Sequence, residues 1–316
     1  MKTLFSALLA FAAAVFATTA SAQGPGLRLI DVTGAFDRFT LSTANMPDAE
    51  RVAAFEKQMA TVAEGFYARS RKPERYDQRV LKNLKEYPEQ RAAILAVSRK
   101  FEAAFGPARV SFEKAFGPVT SPQPIYLVHS LGEMDGGTRD LNGKDTLLFG
   151  ADVIAKIHSD KDLAPFFHHE LFHVYHEPLM ANCDPLWCSL WEEGLATYVA
   201  SSLNPSAGDS ALMLDLPAPI RPAVDANRAA AICAVVPLLD SEKEDEYASL
   251  FYGNSHLSGF PSRMGYYIGY LIAADLGRTH SLHQLAEMKP AEVRPLIDQS
   301  MAQMARCPEK DGGERG

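Results

Sequence analysis

His169, Glu170 and His173 form the pattern H-E-x-x-H. On a helix, positions four apart share one face a single turn apart, so both imidazoles can reach a common ion. Zn²⁺ accepts imidazole nitrogens at about 2.0–2.1 Å, and a catalytic zinc keeps three protein ligands and one open position. Glu170 flanks such a metal without ligating it and can act as general base toward a zinc-activated water. The third ligand must come from further along the chain. His176 shares the helical face but lies about 10.5 Å along the axis from His169 at 1.5 Å per residue, too far for one ion to hold both. No glycine after His173 breaks the helix to bring it closer. Glu192 and Glu193 remain. Ser189-Leu190-Trp191-Glu192 has the S-x-x-E form of a capping box, which gives Glu192 a structural task and leaves Glu193 for the metal. The competing reading is that both glutamates only complement a helix N-terminal dipole. Gly194 removes a side chain where this second helix has to approach a neighbour closely.

The elements that position these residues are legible to different degrees. Asp162 is a candidate N-cap, Pro165 falls in the first helical turn, and Pro178 stops the helix. Ahead of it, Pro124 to His129 and Thr146 to Gly150 read as strands. The polar, glycine-rich stretch from Gly132 to Lys144 between them reads as a hairpin-like or active-site loop. A strand just before the metal helix suits an enzyme that binds an extended peptide at a sheet edge. His129 and His158 read as surface residues rather than ligands. Residues 47–70 and 88–105 have helical periodicity with charged outer faces, and Glu74 to Glu86 reads as a shorter helix between them. Beyond Asn204 to Pro222, a loop, helices are expected at 227–239, 281–288 and 291–306, with a polar tail from Pro308. The charged run Glu242 to Glu246 reads as a solvated turn or helix start.

H-E-x-x-H followed about twenty residues later by Trp191-Glu192-Glu193-Gly194-Leu195-Ala196-Thr197-Tyr198 resembles the gluzincin metallopeptidases. In the aminopeptidase-like pattern of that group, the glutamate just before the glycine is the ligand, which matches Glu193. Residues Phe260 to Tyr270 resemble the downstream block of a bacterial family of predicted zinc-dependent proteases filed as a domain of unknown function. Together the two blocks cover roughly residues 145–277. No G-x-M-E-N motif precedes them, so an aminopeptidase-type anchor for a substrate amine is unsupported. The resemblance implies an α+β, mostly helical fold. A zincin-like catalytic lobe at 119–316 would carry a small β-sheet ahead of the metal helix, after a helical region at 23–118.

Residues 1–22 read as a secretory signal: Lys2, an apolar core from Leu4 to Ala17, and an Ala20-Ser21-Ala22 cleavage site. No other stretch approaches the roughly 20 apolar residues of a membrane span. The expected location is therefore periplasmic or secreted, with no membrane association after cleavage. The formal net charge of −8, with no basic run, makes nucleic acid and anionic membranes poor partners and says nothing of the substrate; the resemblance to metallopeptidases implies a peptide or protein substrate. The four cysteines are expected to pair in an oxidising compartment. Cys183–Cys188 would tie the connection between the two zinc-bearing helices, and Cys233–Cys307 would fasten the C-terminal segment.

The expected chemistry is peptide-bond hydrolysis. Zn²⁺ on His169, His173 and Glu193 would polarise the scissile carbonyl, and Glu170 would carry the proton to the departing amine. Tyr267 or Arg263 is the candidate oxyanion donor, with Tyr266 and His256 behind them; packing in the core is their alternative role. Thr197 or Asp275 is a candidate to orient a ligand. Two other readings stay open: a zinc hydrolase acting on another amide or ester, and a catalytically silent zinc-bearing periplasmic binding protein.

Overall fold

The computed structural model describes residues 27–158 and 162–308. The expected signal segment and most of the polar tail lie outside the described residues. The fold is α+β and mostly helical, with one four-stranded sheet.

The sheet follows from two continuous apolar runs. β2 (Ile125–Val128) is buried at every residue and β4 (Asp145–Gly150) at all but its first. Strands of that pattern must be covered on both faces, as the inner strands of a parallel sheet are. β1 (Leu29–Asp31) pairs parallel to β2, and β2 pairs parallel to β4. β3 (Gly136–Asp140) pairs antiparallel to β4, which gives the order β1-β2-β4-β3. The stretch expected as a hairpin-like loop thus contains the strand β3, at one edge of the sheet. The expected helical region 23–118 also supplies the opposite edge, β1, so it is not helical throughout.

After α1 (Thr33–Ser42) and α2 (Asp48–Met59) comes α3 (Tyr76–Phe116), one helix of 41 residues. Two helices separated near Pro88 were expected here. Pro88 and Pro107 lie inside α3, yet both occupy its exposed side, where water can satisfy the carbonyl that each leaves without a partner. The opposite face carries Val80, Leu84, Ile94, Val97, Phe101, Phe105 and Phe112, spaced three, four or more apart and all buried. Phe101 and Phe105 pack against Phe149 of β4 at 5.0 and 6.1 Å between ring centres. They also meet Phe167 of the next helix layer at 4.8 and 5.3 Å. This stripe outweighs the roughly 3 kcal/mol that an interior proline costs.

His129 and His158, expected at the surface, are buried at 1% and 2% exposure. His129 stacks on Phe36 at 4.0 Å, and His158 meets the Asp135 carboxylate at 3.1 Å. Each imidazole is covered by a partner distant in sequence, Phe36 for His129 and Asp135 for His158, so local polarity misreads its burial.

After α4 (Ala151–Ile157) the chain enters α5 (Ala164–His176) and α6 (Leu186–Leu203). α7 (Ile220–Asp225), α8 (Arg228–Val235), α9 (Glu244–Phe251), α10 (Met264–Leu276), α11 (Leu282–Glu287) and α12 (Pro290–Met304) complete the order. Asp162 is not the N-cap of α5: that position is Leu163. The Asp162 carboxylate instead accepts from the Ala164 amide at 3.0 Å, in the first turn. Both expected disulfides are present. Cys183–Cys188 closes the connection between α5 and α6, and Cys233–Cys307 ties the segment after α12 to α8.

β3 is held at its open edge by ions. Glu133, just before it, meets Arg71 at 2.7 Å, Arg139 of β3 at 3.2 Å and Lys72 at 3.5 Å. Burial alone would raise the Glu133 carboxyl, but Arg71 above all, with Lys72 and Arg139, holds it down at about 2. A depressed carboxyl stabilises the fold fully above its unfolded pKa and loses that contribution as pH falls through the folded value. Glu133→Gln should therefore be less stable than the parent by about 3 kcal/mol at pH 7, with the gap closing between about pH 4.5 and pH 2. Denaturant titrations across that range read it; a pH-independent gap would contradict the ion-pair account.

Candidate metal centre

α5 carries His169 and His173 on one face, and α6 brings Glu193 opposite them. The two Nε2 atoms are 3.0 Å apart, and Glu193 Oε2 lies 3.2 Å from the His169 Nε2 and 3.3 Å from that of His173. A tetrahedral ion with bonds of 2.0–2.1 Å needs donor atoms about 3.3–3.4 Å apart. The three atoms therefore lie close to the spacing that one such ion requires. Among the described residues these three are the group that could hold a metal ion. The donor set, two imidazoles and a carboxylate with one side left to a cleft, suits a catalytic rather than a four-ligand structural zinc. On geometry and chemistry, the residues fit Zn²⁺.

Without a cation the triad is an electrostatic cluster. Burial would raise Glu193, but His173 and His169 outweigh it and hold the carboxyl well below its ordinary value. Burial works against a charge on His173, yet Glu193 lifts it to about 9, while burial lowers His169. The attraction between Glu193 and the imidazoles thus sets the first two shifts, while on His169 it only opposes burial. Glu170, next along α5, is 8% exposed and lines the same cleft. Burial, followed by the effects of its charged neighbours, pushes its carboxyl up to about 8, so it binds protons more tightly than an exposed glutamate. Space for it depends on Gly136 of β3. A Cβ there would sit 2.7 Å from the Phe166 ring and 3.1 Å from the Glu170 carboxyl carbon.

α6 starts earlier than the S-x-x-E pattern implies. Ser189 lies inside the helix, the N-cap is Pro185, and no capping box forms with Glu192. The free amides of the first turn find distant carbonyls instead: Leu186 bonds Ser241 at 2.8 Å and Trp187 bonds Leu239 at 2.9 Å. Glu192 lines the cleft, and burial raises its carboxyl to about 7. Glu193 reaches the metal position even so. Gly194 has the close neighbour that its lack of a side chain implied. A Cβ on it would lie 2.2–2.6 Å from the backbone of Gly269 on α10, and one on Gly269 would lie 2.1 Å from the Leu190 carbonyl. Backbone cannot yield as a side chain can, so this contact fixes where α6 sits and where Glu193 points.

The residue before the motif fixes the other helix, a role the sequence did not reveal. The Asn204 amide of α6's end donates to the Ala200 carbonyl and to His168 Nδ1, both at 2.7 Å. His168 Nδ1 is then the acceptor and Nε2 bears the proton, facing the Ala108 carbonyl at 3.0 Å and Ser111 Oγ at 2.7 Å on α3. His168 thus links α3, α5 and α6 one residue from a ligand. His176 stands apart, stacked on Phe172 at 4.8 Å and without a hydrogen-bond partner among the described residues.

The downstream candidates separate. Tyr267 is not brought to the cleft: its hydroxyl donates to the Asp225 carboxylate at 3.0 Å, and its ring stacks with Tyr270 at 5.8 Å. Tyr266 faces the site instead, 6.2 Å from the His169 ring and lining the cleft. Arg263 lies just ahead of α10 rather than within it. It is the N-cap of α10, with a left-handed φ of 61°, and its guanidinium lies 4.6 Å from the centre of the Tyr266 ring. His256 is not among the cleft-lining residues. Thr197 donates to the Glu193 carbonyl at 2.8 Å, so it braces α6 rather than the ligand carboxylate. Asp275 accepts from Ser300 at 2.8 Å on the far stretch of α10.

The cleft itself measures about 1010 Å³ and is bordered by β3 residues 136–139, His169, Glu170, His173 and Tyr247. Compared with protein-family models, curated proteins and solved structures, the chain matches none.

Replacing Glu193 with Ala should strip the protein of metal, whereas Glu192→Ala should leave the bound stoichiometry near that of the parent. Elemental analysis after dialysis reads both, and equal loss from the two variants would remove Glu193 from the ligand set.

Proposed function

We propose that this protein is an exported, gluzincin-type zinc peptidase that hydrolyses peptide bonds. The observation that carries the reading is the convergence of His169, His173 and Glu193 on one point, with the buried carboxyl of Glu170 beside it at the wall of an open cleft. Two disulfides, together with the absence of any membrane-crossing helix among the described residues, support an oxidising, non-cytoplasmic setting.

β3 supports a peptide substrate. Its outer edge has no strand partner among the described residues, and Gly136 to Arg139 border the same cleft as His169 and Glu170. An extended peptide lying there would gain main-chain hydrogen bonds from β3 and carry its scissile bond past the triad. Zn²⁺ bound at the triad would polarise the scissile carbonyl and lower the pKa of a bound water.

The remaining steps belong to the side chains. Glu170 takes a proton from the attacking water as the C–O bond forms, then delivers it to the departing amine as the C–N bond breaks. Tyr266, whose ring lies beside that of His169 with Arg263 against it, is our candidate to donate to the developing oxyanion. Tyr267 is committed to Asp225 and has no part in this step.

Glu170→Gln should keep its metal and lose roughly 10²–10⁴-fold in turnover of casein, the range of general acid–base catalysis. Chelation should silence the parent, and zinc should restore it. A Glu170→Gln protein as fast as the parent would end the general-base role, and a fully loaded parent that cleaves no peptide would end the peptidase reading.

A further inference from the structure

A second cavity lies behind Glu170, smaller and more closed than the cleft, with a volume of about 100 Å³. It shares Gly136, His169, Glu170 and Tyr266 with the cleft, so its mouth is where a reacting bond must lie. Its other walls include Phe166 of α5, Ala200 of α6, and Ala211, Leu212 and Met213 of the loop before α7, with Asp135 and Arg263 at its border.

The volume limits the occupant. An apolar cavity of about 150 Å³ takes up benzene, so this one is too small for an aromatic side chain. The walls are also set before any ligand arrives. Phe166 is 5% exposed and packs edge-on against Phe149 at 5.6 Å, so it cannot swing aside cheaply. Met213 has a left-handed φ of 58°, and Arg263 Nη1 holds its loop by bonding the carbonyls of Met213 at 3.3 Å and Leu216 at 3.4 Å. Asp135 and Arg263 border the space with opposite signs, and Asp135 already faces His158. An ionised side chain entering the cavity would therefore meet a like charge, Arg263 for a cation or Asp135 for an anion, as well as an opposite one. Ala200 and Ala211 are already small, and Leu212 is buried. Met213 is the long, half-exposed wall residue that sits on a loop.

We infer that this cavity receives the side chain of a residue flanking the scissile bond and admits only small, uncharged ones, alanine to valine in size, with Met213 setting the limit. The inference rests on the peptidase reading and narrows its substrate class.

The test has two arms. In the first, zinc-loaded parent and Met213→Ala digest a mixed peptide library, and mass spectrometry reads both residues flanking each cut. The parent should disfavour aromatic residues at one of those positions by at least roughly tenfold, the scale of a single ill-fitting methylene. Met213→Ala should bring leucine and phenylalanine to within a few-fold of alanine there, and Ala211→Leu should narrow the choice to glycine and alanine. In the second arm, calorimetry measures how Glu170→Gln, with and without Met213→Ala, binds peptides differing only at that residue. The same size order and its relaxation are expected there without turnover.

A parent that cuts beside aromatic and small residues equally at both positions would overturn the assignment and leave the peptidase reading intact. Size-selective binding without cleavage by the parent would do the reverse. If both loop variants fold and keep the parental profile, or if the Glu170→Gln protein binds no peptide, the cavity is not a side-chain subsite.

Discussion

A carboxylate wedged between two imidazoles, with three donor atoms no more than 3.3 Å apart, is the constraint on which the rest of this structure turns. The donors come from two helices, so a shift of about 1 Å in either would spoil a site whose bonds are about 2 Å long. Both helices are accordingly fixed by contacts that do not relax easily. α5 is held by His168, whose two ring nitrogens reach α3 and α6. α6 is held by backbone-to-backbone approach at Gly194 and Gly269, and the Cys183–Cys188 bridge shortens the connection between the pair.

The open side of that cluster faces a cleft whose two walls differ in kind. One is the edge of the sheet, offering main-chain donors and acceptors and secured by the Glu133 ion pairs. The other is helical, bearing Glu177, Glu192 and Tyr247. Gly136 joins the two functions, because it belongs to the edge strand and gives room to the Glu170 carboxyl. Strand, base and cation site are thus coupled through a few residues. A substrate laid along β3 would be positioned by the element that also shapes the surroundings of Glu170, the proposed general base.

Much of this was readable in the chain because it depends on local spacing. His169, Glu170 and His173 need only helical periodicity, and the apolar runs of β2 and β4 needed only composition. The pairing Cys183–Cys188 follows from two half-cystines separated by a tight connection. The misreadings share another origin, partners far away in sequence. Ser189 looks like a cap, but carbonyls at Leu239 and Ser241 satisfy the amides of an earlier helix start. Pro88 looks like a helix end, but an aromatic stripe packed on β4 and α5 carries α3 through it. Arg263 and Tyr267 share a face only if the helix begins before Arg263. The left-handed Arg263 backbone places that start one residue later, and Tyr266 rather than Tyr267 meets the site. The capping box that would set Glu192 apart from Glu193 does not form, so it lends Glu193 no support as the ligand. The mutual approach of Gly194 and Gly269 belongs to two helices together and is written in neither stretch alone.

X-ray absorption at the zinc edge on the purified, zinc-loaded protein tests the central claim most directly. The account predicts a single shell of nitrogen and oxygen scatterers near 2.0–2.1 Å, with the outer-shell signature of two imidazoles and no sulfur. A sulfur shell near 2.3 Å, a single imidazole, or a protein that takes up no zinc would contradict it.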